Sequence, residues 1–536
     1  MEQQLPGSPA GIDAYTGVWD TPQVVHLLKR TLFGAAMTDV NYFKTRTMSQ
    51  AVDELLQPTA APATTPLNHY GADPTGVAPW QSWINQGLLY SDEEMNSNRL
   101  DSLQCWWIGQ LLNPGRSIHE KMTLFWHNHF AMDATAHFGD IPAQLWFSQY
   151  LTLRSNALGN FHQLVRAITL DPAMLIYLNG NTNLKTSPNE NYGRELQELY
   201  TVGKGSGSQY IQDDVVAAAR ALTGHTVDAN FNYVFQPGDH DDLNKNFSAF
   251  YSNAIITGRS GPAGAAELDE LLTLLFATQE SARFICRKLY NFFVYYQIDA
   301  TIEANVIVPL ANIFRQSNYN ITTVMSALLK SQHFYDLVNS GACIIKSPLD
   351  LLVGLVREYQ VAIPAAADPQ GRYAAWSMLN ERAAILQQEL MGIELVAGWD
   401  AYRQAPQYHE LWINSVTYTG RNFYTDLLIS TGDMMDGTTL QIDAVEFAKT
   451  LPAPHDPNKL IADSLSILIR PPLSDSNITL LKQTILLGNL TNDIYWTNAW
   501  LAYIADPSNM AAYSTVNNKL RALYKYLMNL PEYHLS

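Results

Sequence analysis

Apolar side chains recur every three or four residues along most of the chain, the spacing at which they share one face of an α-helix. Runs in which apolar and polar residues alternate, as they do in a β-strand, are scarce. Two predicted helices begin at capping-box patterns, one formed by Thr47 and Gln50 and the other by Ser117 and Glu120. The pattern predicts a mainly α-helical protein, a large multi-helix assembly with long irregular loops.

Helix signals continue through the rest of the chain. Further helices are predicted at about 187–203, 211–223, 264–276, 279–297, 302–316, 321–333, 348–361, 374–391, 458–469, 476–487 and 508–530. Mixtures of Pro, Gly, Asn and aromatic residues indicate irregular structure at 58–90, 225–262 and 393–440, with one short hairpin in the second, around Asn230 to Phe235.

A division into three parts fits this order of helices and loops. We expect N-terminal helices with a Pro-rich connection at 1–90, a central helical domain with the candidate site at 91–340, and a C-terminal helical region at 341–536. The last boundary is placed near Gly341.

Composition favours a compact protein that does not bind nucleic acid. Hydrophobic residues make up 47% of the chain and charged residues only 15%, which excludes a disordered protein. The 33 Lys and Arg against 50 Asp and Glu give a net charge of −17, too few cations to neutralise a phosphate backbone. We expect no transmembrane segment, because no apolar run approaches the roughly 18 residues that span a bilayer.

The start of the chain does not settle whether the protein is exported. It lacks the basic and apolar regions of a secretory signal, but a chain that begins after signal cleavage would lack them too.

The first candidate for chemistry is Phe-Trp-His-Asn-His-Phe at 125–130. Imidazole is a common metal ligand and the usual proton shuttle near neutral pH. On a continuous helix His129 joins an apolar stripe and His127 lies almost opposite, so the two cannot bind one ion directly. They could share a site only if the helix ends before His129, or if one histidine hydrogen-bonds to a metal ligand instead of binding the metal. The alternative interpretation is a hydrogen-bonded core residue at His129 and a surface residue at His127.

The second candidate is the helix that follows residue 188. Asn191, Glu195 and Glu198 form a polar stripe along the edge of its apolar face. Glu195 is the acid best placed to be half-buried, and such an acid needs an arginine, a backbone group or a metal as partner. Glu190 and Arg194 have the spacing of an ordinary surface ion pair.

The third candidate is the loop at 237–245, which combines three carboxylates with His240 and Lys245. This composition suits a cation, proton transfer or a solvated turn. The loop does not match an EF-hand, because the required glycine and closing glutamate are absent.

Together these segments resemble a bacterial family catalogued as domain of unknown function (DUF) 1800. The resemblance covers nearly the whole chain and is carried by residues 19–34, 121–130, 171–178, 189–203, 219–224, 240–245, 282–293, 346–348, 398–399 and 412–414. The sequence departs from the family pattern at His225, where a tryptophan is usual, and in an insertion between Trp399 and Trp412.

The resemblance implies a periplasmic or extracellular protein, whose relatives are often encoded beside an exported companion similar to the sulfatase and alkaline-phosphatase group. It attaches no reaction to the family. It does draw attention to the candidates that match the family's motif residues, namely His127, His129, Asn191, Arg194, Glu195 and His240.

The leading interpretation is a metal-assisted enzyme, a hydrolase or an oxygen-using enzyme. In it a divalent ion is held at one pocket by His127 or His129, Glu195 and His240. The predicted catalytic residues are Glu195, Arg194 and Lys245, the last two facing negative charge. The predicted substrate contacts are Asn191 and three tryptophans that suit sugars or aromatic groups, Trp126, Trp399 and Trp412.

The alternative is a non-catalytic binding or assembly protein that docks onto the exported companion. The same motifs would then form a buried polar network that fixes the packing of the helices.

Overall fold

A computed structural model describes residues 11–89, 91–340 and 342–536. Helices dominate this part of the chain, which confirms the prediction of a mainly α-helical protein. The first eight are α1 Thr21–Thr31, α2 Met37–Lys44, α3 Met48–Leu55, α4 Glu93–Leu112, α5 His119–His129, α6 Ala143–Asn156, α7 Phe161–Thr169 and α8 Pro172–Tyr177.

The next eight helices include two that continue into a π-helical turn. They are α9 Glu190–Glu195 with its π-helical turn Leu196–Thr201, α10 Gln212–Ala221, α11 Glu267–Ala277, α12 Gln279–Phe293, α13 Ala300–Ile302 with its π-helical turn Glu303–Ile307, α14 Val308–Gln316, α15 Ile321–Leu329 and α16 Gln332–Ser340.

The last third of the chain is also helical. Its helices are α17 Pro348–Glu358, α18 Pro369–Ile385, α19 Ser415–Ser430, α20 Ala444–Lys449, α21 Pro457–Leu468, α22 Asp475–Thr479 with its π-helical turn Leu480–Leu486, α23 Ile494–Ala505 and α24 Met510–Met528.

Three antiparallel hairpins and several short 3₁₀ helices connect the α-helices of the described residues. The hairpins pair β1 His225–Val227 with β2 Tyr233–Phe235, β3 Lys245–Asn246 with β4 Ile255–Ile256, and β5 Asp433–Met435 with β6 Thr438–Leu440. The first is the predicted hairpin.

The helix caps show where local sequence signals hold. Thr47 and Gln50 form the predicted capping box of α3. Ser117 and Glu120 do not form one. The Ser117 hydroxyl donates to the carbonyl of Gln57, and Glu120 forms a buried ion pair with Arg154. Tertiary partners therefore take the side chains that the local pattern assigns to the cap.

One segment that was predicted to be irregular contains a helix. α19 lies within 393–440 and contains three Thr, one Gly and three aromatic residues, which are poor helix formers. It forms because Asn414 caps it and because Thr417, Arg421, Tyr424 and Leu428 are buried at helical spacing along one face. Packing here outweighs intrinsic propensity.

The first and last thirds of the chain pack against each other. α4 lies along α18, and α1 contacts α16 and α21. The buried ammonium of Lys29 in α1 is 2.7 Å from the carboxylate of Glu358 in α17. The predicted boundary residue Gly341 lies outside the described residues. Within the described residues, no helix is both long enough and apolar enough to cross a membrane.

Candidate functional site

Helix α5, which carries both candidate histidines, is buried on every side. All eleven of its residues are buried, and it continues without a break through His129. His127 has only 3% of its surface exposed, so the interpretation of His127 as a surface residue is wrong. The two imidazoles leave the helix in different directions because successive residues are about 100° apart.

The turn that contains His127 holds a loop from the C-terminal third of the chain. The Nε2 atom of His127 accepts a hydrogen bond of 3.0 Å from the backbone N–H of Met391, and the amide oxygen of Asn128 accepts one of 2.8 Å from that of Trp399. Gly398 has a φ of +93°, and a Cβ atom there would lie 2.6 Å from the carbonyl oxygen of Asn128. These contacts fasten both ends of the loop 391–399 to α5.

His129 faces a different group of residues. Its Nε2 atom is 3.0 Å from the carbonyl oxygen of Tyr200, which only accepts, so Nε2 carries the proton. Its Nδ1 atom then accepts from the ammonium of Lys288, also at 3.0 Å. Burial, and secondly the charge of Lys288, lowers the pKa of His129 well below its usual range. Both nitrogens of this imidazole therefore form hydrogen bonds with other parts of the core.

Glu195 stands at the edge of the core, as the sequence predicts. It is half-buried and has no hydrogen bond or ion pair within the described residues, and burial together with Glu198 raises its pKa. Arg194 pairs with Glu190 at 2.9 Å on the surface, the ion pair expected from their spacing. Asn191 is exposed, and its side-chain amide donates to the carbonyl of Leu178.

His240 and Lys245 meet at a buried carboxylate instead of at Glu195. The Nε2 atom of His240 is 3.1 Å from Glu267 Oε1, and the Lys245 ammonium pairs with Oε2 of the same side chain. All three side chains are almost fully buried. Burial alone would raise the pKa of Glu267, but the neighbouring His240 and the ammonium of Lys245 hold it below its ordinary value.

Among the described residues, no three of the predicted metal ligands converge on one point. His129 contacts the π-helical turn that follows α9. Among the described residues, no hydrogen bond or ion pair joins the side chain of His129 to that of His127, Glu195 or His240. The described residues, 11–89, 91–340 and 342–536, contain one group of three side chains of the His, Cys, Asp or Glu type that could hold a metal ion. Its ligand atoms lie within 4.8 Å of one another. It consists of His69, Asp101 and Cys105, none of which the sequence singled out.

The loop held by α5 forms one wall of an open cavity of about 470 Å³, which we call the 384–412 cavity. This size is typical of small-molecule sites. Trp399 and Trp412, two of the predicted substrate contacts, both line it, although they show only 8% and 4% of their surface. With so little exposed surface, neither ring offers an open face for stacking. The third, Trp126, is fully buried and donates to the carbonyl of Ala157.

Acidic side chains form the polar part of the cavity lining. Glu389, Glu394 and Asp400 line it together with Gln387. Glu389 is half-buried and accepts a hydrogen bond from Gln104 at 3.3 Å. Burial raises its pKa, and the negative charges of Asp133, Asp101 and Glu394 add to this effect. The charged residues of the lining are thus all acidic, and one of them, Asp400, is already paired with Arg403.

Behind the segment 399–412 lies a buried cluster of cations. Arg30, Lys346 and Arg421 are each at most 5% exposed, and burial lowers the pKa of Lys346 to about 7 and that of Arg30 and Arg421 to about 10. The nearby carboxylates Asp350 and Glu358 pair with other lysines, Lys121 and Lys29. Arg421 donates to the backbone carbonyls of Lys346 and Trp412, so Arg421 holds the inner side of the cavity wall at Trp412.

The fold and this site define a mainly helical protein in which one buried helix organises a cavity built from the C-terminal third of the chain. A family model described as protein of unknown function (DUF1800) matches residues 26–535, and the chain therefore belongs to this family. No curated protein and no solved structure matches the chain.

Sequence reasoning missed several residues of this site. Asn128 lies between the two candidate histidines but gave no chemical signal, because its role is to bind a backbone N–H. Glu389 follows two glutamines in an unremarkable helical pattern. Lys288 lies on α12, and only the fold brings it to His129. For Asn128, its place within the segment most typical of the family was the one available hint.

Proposed function

We propose that the protein is a binding protein whose 384–412 cavity takes a ligand that carries a positive charge, an amine or a guanidinium group. The observation that carries this proposal is the placement of Glu389 and Glu394 in an open cavity whose wall is fastened to α5 by His127 and Asn128. A cation there relieves the repulsion among the carboxylates and gains charge-assisted hydrogen bonds.

The contacts of the histidines support a binding role over a metal-assisted reaction. His129 has no free nitrogen, and His127 already accepts a backbone hydrogen bond. An ion at either imidazole would have to displace these partners. The metal-assisted enzyme stays a prediction, and the contacts of His127 and His129 do not favour it.

Location and partner are further parts of the proposal and rest on the family resemblance alone. We infer that the protein works in the periplasm or outside the cell. The cationic group then has two sources, a free polyamine-like molecule or a Lys or Arg side chain of the exported sulfatase- or phosphatase-like companion. Both offer the same chemistry to Glu389 and Glu394.

Calorimetric titration with matched probes tests the charge requirement. N-acetyl-lysine amide carries the amine, N-acetyl-norleucine amide has the same apolar chain without it, and spermidine represents the free polyamine. We expect the cationic probes to bind and the neutral one not to bind, with affinity falling as salt rises. Preference for spermidine indicates a small-molecule ligand, whereas preference for the lysine amide indicates a protein side chain.

Variants locate the binding. Glu389→Gln combined with Glu394→Gln should weaken binding at least about tenfold, a loss of about 1.4 kcal/mol. Asp242→Asn is the matched control, because Asp242 is an exposed carboxylate that does not line the cavity. Equal binding of neutral and cationic probes, no binding of any probe, or unchanged binding by the double variant would each contradict the proposal.

A further inference from the structure

His69, Asp101 and Cys105 bring a nitrogen, an oxygen and a sulfur ligand together beside α4. Asp101 and Cys105 lie one turn apart on α4, so their side chains leave the same face of that helix. His69 comes from the irregular segment before α4, and its Nε2 atom is 3.0 Å from Asp101 Oδ2. One ligand atom from each residue lies within 4.8 Å of the other two.

We propose that these three side chains form a binding site for a zinc-like divalent transition-metal ion. Imidazole nitrogen, carboxylate oxygen and thiolate sulfur are the three ligand types that Zn²⁺ takes in proteins. The site shares no residue with the lining of the 384–412 cavity, although the charge of Asp101 acts on Glu389 of that cavity.

The separations within the group are close to those of a tetrahedral site. Zinc bonds of about 2.0–2.3 Å at tetrahedral angles place nitrogen and oxygen ligands about 3.4 Å apart, and sulfur and oxygen ligands about 3.6 Å apart. The observed His69–Asp101 separation is 3.0 Å and the Cys105 Sγ–Asp101 Oδ1 separation is 3.8 Å. These two distances involve different oxygens of Asp101, and the ligand atoms of His69 and Cys105 lie within 4.8 Å of each other, so the three side chains must draw closer together to bind one ion.

Neighbouring residues orient the ligands. The ring of Tyr373 stacks on His69 with the ring centres 4.9 Å apart. The Ser377 hydroxyl is 3.3 Å from Cys105 Sγ, and the Asn380 amide is 3.5 Å from Asp101 Oδ1. All three neighbours lie on α18, so the helix that packs along α4 holds the ligands in place.

The pattern of exposure fits an ion that keeps one open position. Cys105 is fully buried, the side chain of His69 is 16% exposed and that of Asp101 is 50% exposed. An ion therefore enters from the side of Asp101, and its fourth position faces solvent. Three protein ligands with a solvent ligand are the arrangement of reactive zinc sites, whereas purely structural sites use four protein ligands.

Cobalt titration of the metal-free protein tests the site. We expect one Co²⁺ per chain to produce a thiolate-to-cobalt absorption band and the visible spectrum of tetrahedral cobalt, and an equimolar amount of Zn²⁺ to abolish both. Cys105→Ser should remove the thiolate band. Asp101→Asn should weaken Co²⁺ binding at least about tenfold, because losing even an outer partner of a ligand costs that much.

Controls separate this site from others. Cys286→Ser removes another buried free cysteine, and the band should remain. Asp101→Asn is the variant that should disturb folding least, since this side chain is half exposed. Circular dichroism checks that every variant is folded. Absence of the band in the wild type, or its persistence in Cys105→Ser, would overturn the proposal, as would unchanged cobalt affinity in Asp101→Asn.

Discussion

The Nδ1 atom of His129 accepts a hydrogen bond of 3.0 Å from the ammonium of Lys288, while its Nε2–H donates to the carbonyl of Tyr200. While Lys288 is charged, this imidazole can gain a proton only by losing that hydrogen bond, and both burial and the positive charge oppose protonation. His129 is therefore a neutral link between α5, α12 and the turn after α9. Its family-typical position has a structural explanation that needs no ion.

The first prediction is that His127→Ala and His129→Ala both destabilise the protein. Each removes a buried ring and leaves a buried polar partner unsatisfied, the N–H of Met391 or the carbonyl of Tyr200, for a cost of about 2–4 kcal/mol. Urea unfolding measures both. His455→Ala is the control, since this exposed histidine should cost less than about 0.5 kcal/mol.

Hydrogen exchange distinguishes the two variants. In His127→Ala the amide of Met391 should exchange faster than in His129→Ala, because only His127 binds it. A His127→Ala protein as stable as the wild type would show that this contact contributes nothing.

The second prediction concerns Asp171, which caps α8 by accepting from the N–H of Met174 at 3.1 Å. Burial raises its pKa to about 7 from an ordinary value near 3.8. Between about pH 4 and pH 7 the folded state therefore keeps a proton that the unfolded state has lost. The contribution of Asp171 to stability is complete below about pH 4 and decreases as pH rises towards 7.

Asp171→Asn keeps the cap and cannot ionise. It should match the wild type in stability near pH 4 and exceed it by on the order of 1–3 kcal/mol at pH 8. Thermal melts across this range measure the difference. A difference that does not change with pH would contradict the assignment.

The third prediction is that Lys346→Met stabilises the protein near pH 6. The ammonium of Lys346 lies over the ring of Tyr533 and has no hydrogen bond within the described residues, and burial lowers its pKa to about 7. In the unfolded state Lys346 keeps its proton up to about pH 10.5. Between pH 7 and 10.5 the unfolded state therefore binds a proton that the folded state has lost, and wild-type stability should rise with pH over this range.

The gain from Lys346→Met should be about 1–3 kcal/mol at pH 6 and should shrink as pH approaches 10. Chemical unfolding of both proteins at several pH values measures it. A loss of stability at every pH would mean that the ammonium has a favourable partner, such as the Glu358 carboxylate.

The fourth prediction compares two ion pairs that include candidate residues. Glu267→Gln leaves the ammonium of Lys245 buried without a countercharge and should cost about 3–5 kcal/mol. Glu190→Gln breaks the surface pair with Arg194 and should cost less than about 1 kcal/mol. Urea unfolding of the two variants checks the ranking, and equal losses would contradict the burial of Lys245.

The sequence predicts best what depends on near neighbours. The cap at Thr47, the hairpin around residue 233 and the surface pair of Glu190 with Arg194 all follow from spacing along the chain. The contact between His127 and Met391 spans 264 residues, and no local pattern encodes it. Whether the histidines share one site depends on such distant contacts. The partners of both imidazoles lie far away in the sequence, so the sequence could not predict them.

The ion pair between Lys29 and Glu358 also has a consequence for synthesis of the protein. The two residues are 329 positions apart, so at about 5–20 residues per second α1 leaves the ribosome roughly 16–65 s before its partner does. During that time its apolar face and its ammonium have no native surroundings. Nascent chains stalled before residue 358 should therefore bind holdase chaperones through α1, and chains extended through α17 and α21 should release them.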